Sequence, residues 1–200
     1  QAAAGVDIIV AQGGEAGGHC GEVSTLVLVP EVVRALKQAD QPIPVLAAGG
    51  IMTGGQMAAM MAAGAQGAWC GSVWLSTPEA ETSPAFRQKM IAARSRDTVR
   101  SKSRTGKPAR QLKTAWHEAW DGPDSPGALP MPLMGMVSEP SFAHIEKAVA
   151  NGNHEAEDLV SYFVGQGVGL VEAERSCRQV VQDFREEFAE AVLGLTAMVE

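Results

Sequence analysis

The sequence predicts an α/β fold of parallel strands joined by crossover helices, and three observations carry that prediction. Residues 6–11, 43–48 and 67–71 are short apolar runs without the polar–apolar alternation of a half-exposed strand. Such runs suit strands buried on both faces of a parallel sheet. Helical patterns lie between them, so the order reads β-α-β-α-β. The strand starts recur at intervals of roughly 24–37 residues, the length that crossover units need.

Each element has its own local reason. The first strand is Val6-Asp7-Ile8-Ile9-Val10-Ala11, flanked by Gly5 and Gly13. Pro30 is expected to open a helix, because proline is favoured at the first helical position. Val32, Val33 and Leu36 then form one apolar stripe. Ile43-Pro44-Val45-Leu46-Ala47-Ala48 is the second strand, and residues 56–63, rich in Ala and Met, form a helix stopped by Gly64. Gly67-Ala68-Trp69-Cys70-Gly71 is the third strand.

After about residue 78 the texture changes. Residues 84–94 read as a helix, and residues 94–110 as a basic stretch, either a solvated face or linker or a surface for an anionic carrier such as coenzyme A. Residues 122–140, rich in Gly, Pro and Met, read as an irregular excursion. Val180, Val181, Phe184, Phe188, Val192 and Leu195 follow helical i, i+3, i+4 spacing. The expected division is 1–83 for the strand region, 84–165 for a mostly helical insertion and 166–200 for a C-terminal helical segment. The chain opens on Gln1 and runs at once into a strand, which suggests a partial sequence with earlier βα units upstream.

Composition removes several function classes. A hydrophobic share of 46% supports a sizeable core, while a net charge of -7 and 5% aromatics argue against nucleic-acid binding. Cys20, Cys70 and Cys177 form no C-x-x-C pair and are odd in number, so neither a disulfide framework nor a zinc site is expected. A reducing compartment follows, and the cytoplasm is the expected location. No apolar run reaches the roughly 18 residues of a membrane span, and no secretory signal is seen.

The chemistry is expected where three glycine-rich loops follow the three strands. Sites in parallel βα folds form at the C-terminal strand ends, which brings these loops to one face. Ala47-Ala48-Gly49-Gly50-Ile51 and Gly71-Ser72 follow the second and third strands. Glycines admit an anion close to backbone N–H groups, and a helix N-terminus adds positive character. Each loop alone could be a mere tight turn; two after consecutive strands favour a phosphate site. The first loop, Gln12-Gly13-Gly14-Glu15-Ala16-Gly17-Gly18-His19, lets a flat ring approach the backbone, and His19 ends it. Its imidazole is suited to acid–base work near neutral pH. Gln12 is a candidate contact to a ring edge. Glu15 could orient a ligand or a backbone turn.

The run from Gly5 to His19 resembles the signature of the nitronate monooxygenases, also called 2-nitropropane dioxygenases. Residues 44–51 and 64–75 are similar to that family's next two strands and phosphate loops. A looser likeness continues through Thr105-Gly106-Lys107-Pro108-Ala109-Arg110 and Gly165-Gln166-Gly167-Val168-Gly169. The resemblance implies the C-terminal portion of a (β/α)8 TIM barrel holding FMN, with an additional helical region closing over it. It implies that Gln12, Gly17 and Gly18 contact the flavin, that Ala48, Gly49, Gly50, Gly71 and Ser72 hold the phosphate, and that His19 is catalytic on the substrate side. No metal is implied. The implied activity is oxidation of alkyl nitronates by molecular oxygen. Relatives with the same motifs widen the choice to an NAD(P)H-dependent flavin reductase of an enoyl-thioester or quinone, and a non-catalytic nucleotide-binding module is the remaining alternative. The partners expected are a small-molecule substrate and, as an option, further copies of the chain, with neither nucleic acid nor membrane.

The remaining motifs read as packing. Trp116 and Trp120 lie at i, i+4; Met131, Met134 and Met136 either pack or shape an apolar pocket. His117, His144 and His154 lack metal-ligand spacing, and Cys20 is taken as non-catalytic.

Overall fold

In the computed structural model, which describes residues 1–199, a short turn over Ala2–Ala4 leads into β1 (Ile9–Gln12) and a two-residue strand, β2 (Gly18–His19). There follow α1 (Thr25–Gln38), β3 (Val45–Ala48), α2 (Gly54–Ala62), β4 (Gly67–Trp69) and α3 (Ser72–Leu75). The second half holds α4 (Pro84–Ala92), β5 (Thr98–Ser101), β6 (Ala109–Leu112), α5 (Ala115–Asp121), α6 (Leu133–Ala150), α7 (His154–Glu157) and α8 (Cys177–Thr196).

Strands β1, β3 and β4 form a parallel sheet in that order. Its register sets Gln12 beside Ala48 and Ala48 beside Trp69, so all three strands end level and their loops leave one edge together. One face of this sheet packs on α1 and α2 through Ala11, Val29, Val45, Ala47, Ile51 and Met60. The other face is open: Val10 is 37% and Trp69 60% exposed, which departs from the expected burial on both faces.

Helix α1 corrects the expected start at Pro30. It begins at Thr25, with Pro30 inside it. Its cap, Ser24, makes no side-chain hydrogen bond. The Glu15 carboxylate in the first glycine loop accepts instead from the Thr25 N–H at 2.9 Å and from the Thr25 hydroxyl at 2.8 Å. A carboxylate there suits the unpaired N–H groups and positive end of a helix. Glu15 is therefore engaged with the backbone turn.

Helix α2 is capped by Thr53, whose hydroxyl accepts from the Gln56 N–H, and Gly64 follows it at φ +109°, the left-handed conformation of a helix stop. Gly54 lets α2 lie directly on α8, because a Cβ there would stand 2.0 Å from the Phe184 carbonyl oxygen.

The basic stretch folds as a hairpin. Strands β5 and β6 pair antiparallel, and β2 adds to β6 with Gly18 opposite Arg110 and His19 opposite Ala109. Arg104 and Arg110 are buried, which corrects the reading of the whole run as a solvated face. The irregular stretch is shorter than expected, since α6 begins at Leu133 and carries Pro140 within it. A second core, with Val73, Phe86, Met90, Leu112, Val164 and Val180, joins α3, α4, β6 and α8. Among the described residues no helix is long and apolar enough to cross a membrane.

Candidate active site

A cleft of about 250 Å³ opens at the level ends of the parallel strands, and its floor comes from all three glycine loops. It is lined by Gln12 and Gly17 from the first, Ala48, Gly49 and Gly50 from the second, and Gly71 and Ser72 from the third. Of the nine residues singled out from the sequence, Gly18 and His19 stand outside this lining, next to its Phe163.

The second loop turns through Gly49 at φ +113° and Gly50 at φ +72°, a region side chains rarely enter. The N–H groups of Gly50 and Ile51 there donate to no backbone carbonyl among the described residues. Gly71 differs: its φ is −113°, and a Cβ on it would meet nothing within 4 Å. What a side chain there would take up is cleft volume. Gly17 is different again, because a Cβ would stand 2.7 Å from the Val164 carbonyl carbon.

That contact belongs to a strap which the sequence reading missed. Residues 161–166 run beside β6 and across the loops: Gln111 bridges to Phe163, the Leu112 carbonyl accepts from the Ser161 hydroxyl at 2.7 Å, and the Gln166 N–H donates to the Glu15 carbonyl at 2.8 Å. The Ser72 hydroxyl oxygen accepts from the Gly165 N–H at 2.8 Å, which leaves its proton free to donate. The strap brings Tyr162 and Phe163 into the cleft wall together with Trp69 and Leu75. The adjacent pair Tyr162-Phe163, in a chain with so few aromatics and just before the glycine run at 165–169, was the available signal.

His19 is exposed, with its ring centroid 6.4 Å from that of Phe163. Its Nε2 lies 2.7 Å from the Thr105 hydroxyl oxygen. The Gln12 side-chain amide donates to the His19 carbonyl at 2.6 Å, so Gln12 braces the end of the first loop. Arg110 supports the same loop from below, its Nη2 donating to the Gly14 carbonyl at 2.7 Å. Burial pulls the Arg110 guanidinium below its ordinary value, and the Cys20 thiol beside it opposes that shift. Arg104 is stacked over Phe142 at 4.2 Å and lies within 5.2 Å of Tyr162 and 5.0 Å of Phe163. Of the trio Met131, Met134 and Met136, Met134 is fully buried while Met131 and Met136 are exposed, and none of the trio lines the cleft. Trp116 packs on Trp120 and Phe142 at 5.7 and 4.9 Å.

An α/β frame with glycine loops gathered at its strand ends and a histidine beside the cleft defines a small-molecule enzyme site in outline. The sequence from residue 1 to 187 matches the model of the nitronate monooxygenase family, and the chain belongs to that family. Its members are flavin-dependent oxidoreductases. A Mycobacterium tuberculosis protein described as a candidate monooxygenase is 57% identical over the whole chain, which spans 52% of that relative's length. The chain therefore spans about half the length of the curated relatives it matches. Among solved structures, the nitroalkane oxidase of Streptomyces ansochromogenes is similar at 31% identity and a TM-score of 0.78, over 96% of this chain and 55% of that one. FabK of Thermotoga maritima is similar at 34% identity and a TM-score of 0.76, over 98% and 58%.

Proposed function

We propose that this chain is the part of an FMN-dependent nitronate monooxygenase that holds the flavin phosphate and carries the catalytic histidine. The convergence of three glycine loops on one cleft, with His19 beside its lining residue Phe163, is the observation that carries the reading. Three features of the cleft suit the phosphate of a flavin mononucleotide. Gly50 and Ile51 offer unused N–H donors, Ser72 a free hydroxyl proton, and Gly71 open volume. In this reading Gly49, Gly50, Gly71 and Ser72, with the Ala48 backbone, hold the phosphate, and Gln12, Gly17 and Gly18 face the ring system. When bound, FMN supplies the redox chemistry with molecular oxygen.

The protein's share is binding, orientation and charge. An alkyl nitronate is already an anion, so His19 serves chiefly as a cationic partner that fixes it beside the cleft. Tyr162, Phe163 and Trp69 provide the apolar wall of the cleft. The open face at Val10 and Trp69 supports placing the three parallel strands within a closed barrel, with 1–83 as the flavin region, 84–165 as the substrate cover and 166–200 as the closing helical segment.

A second reading, an NAD(P)H-dependent flavin reductase of an enoyl-thioester or quinone, draws on the likeness to FabK at comparable identity. Anaerobic mixing of the FMN-loaded intact protein with propionate 3-nitronate or with NADH separates the two. Bleaching of the flavin by the nitronate and not by NADH is expected. Rapid bleaching by NADH alone overturns the monooxygenase reading in favour of the reductase.

A further inference from the structure

We infer that Thr105 is a positioning residue that fixes the tautomer of His19, keeping Nε2 protonated so that Nδ1 is the nitrogen that meets the substrate. The inference deepens the reading of His19 as catalytic and rests on it for its functional consequence, though not for its structural one.

One hydroxyl meets three partners, and its valences decide the tautomer. The Thr105 oxygen lies 2.7 Å from His19 Nε2, 3.1 Å from the Lys107 carbonyl oxygen and 3.3 Å from the Lys107 nitrogen. A threonine hydroxyl has one proton to give and two lone pairs to accept with. If the proton goes to the Lys107 carbonyl, the oxygen accepts from the Lys107 N–H and from His19 Nε2–H, and all three contacts are satisfied. If the proton goes to Nε2 instead, the Lys107 carbonyl loses its donor. The first arrangement uses every group, and it makes Nε2 a donor. It also holds whether the ring is neutral or charged, since Nε2 carries a proton in both states. Only Nδ1 then changes, and Nδ1 makes no hydrogen bond among the described residues.

The hydroxyl can impose this only if it does not move, and its loop is pinned on several sides. The Arg104 guanidinium donates to Glu139 at 3.2 Å and to the Ser161 carbonyl at 3.1 Å, and it is stacked on Phe142. The Arg104 carbonyl accepts from the Ser138 hydroxyl at 2.6 Å. Gly106, at φ +85°, presses against residues 129–131, where a Cβ would stand 2.4 Å from the Leu129 carbonyl oxygen. The His19 backbone is held as firmly, by the pairing with Ala109 and by Gln12. Thus both ends of the 2.7 Å contact are fixed from outside it. Because Thr105 and Ser161 belong to different segments that meet through Arg104, the same platform carries the strap of the cleft wall.

The test is the 15N spectrum of histidine side chains in the intact protein at alkaline pH, where the neutral tautomers are distinguished by nitrogen shifts and His19→Asn assigns the signal. Wild type is expected to show His19 as the Nε2–H tautomer. Thr105→Ser is expected to keep it. Thr105→Val, of nearly equal volume, is expected to reduce the ratio of Nε2–H to Nδ1–H by about fivefold, the effect of one ordinary hydrogen bond. A dominant Nδ1–H tautomer in wild type, or an unchanged ratio in Thr105→Val, overturns the inference. Nitronate turnover by the FMN-loaded variants is read alongside. A lower kcat in Thr105→Val, restored in Thr105→Ser with FMN affinity unchanged, supports the positioning role. A shifted tautomer with unaltered kcat overturns the catalytic reading of His19 while leaving the hold of Thr105 on the ring standing.

Discussion

Gly71 and Gly17 line the same cleft for opposite reasons: one keeps ligand space open, the other lets the strap close on the first loop. No spacing rule separates two such roles, because both are written with the same letter. In the proposed function His19 is the residue on which turnover depends, and its neighbours decide how it acts. Replacing it with alanine removes no contact to the cleft floor, since Gln12 grips its backbone carbonyl and not its ring. The expected outcome for His19→Ala is retained FMN with nitronate turnover lowered by about 10²–10³-fold, the usual contribution of one positioned group that stabilises negative charge. Steady-state kinetics and flavin content on the same preparation check it. Unaltered turnover would remove His19 from the mechanism.

At the scale of elements, the parallel strands and their loops were legible in the sequence because burial and backbone geometry act there through local composition. Apolar runs end at glycines, and Gly49 and Gly50 do sit at positive φ. The hairpin β5–β6 was not legible. Arg104 and Arg110 read as solvated charges, yet one is stacked on Phe142 and the other is spent on the Gly14 carbonyl. Long-range partners of that kind leave no periodicity. The start of α1 was misplaced for the same reason, as its first N–H group is held by Glu15, ten residues upstream and in another loop.

Helix α5 offers a pH test of this packing. His117 is 1% exposed, its Nδ1 accepts from the Thr114 N–H at 3.1 Å, and its Nε2 has no partner. Burial pushes its pKa from 6.5 down to about 4, with Asp121 opposing. The folded state thus prefers neutral imidazole, while the unfolded chain takes up a proton more readily. The resulting stability is fully present above pH 6.5 and is lost as pH falls through about 4. Urea unfolding of wild type is expected to lose about 3 kcal/mol over that interval from this group. His117→Gln is expected to flatten the slope by about one proton's worth. Equal pH slopes in the two proteins would show that the ring is not held neutral.

Across the whole molecule, two sheets divide the work. The parallel sheet presents its loops from one edge, and the β2-β6-β5 sheet reaches back to hold the end of the first loop. The strap at 161–166 ties both to the third loop through Ser72. The central claim is that this junction is a flavin mononucleotide site. Titration of the intact protein with FMN, followed by flavin fluorescence, tests it most directly when wild type and Gly71→Leu are compared. Gly71 has an ordinary φ and no near neighbour, so the variant is expected to unfold at the same temperature as wild type. Its FMN affinity is expected to fall by on the order of tenfold or more, equivalent to about 1.4 kcal/mol. Equal FMN affinity in the two proteins, or no FMN binding by wild type, would contradict the claim.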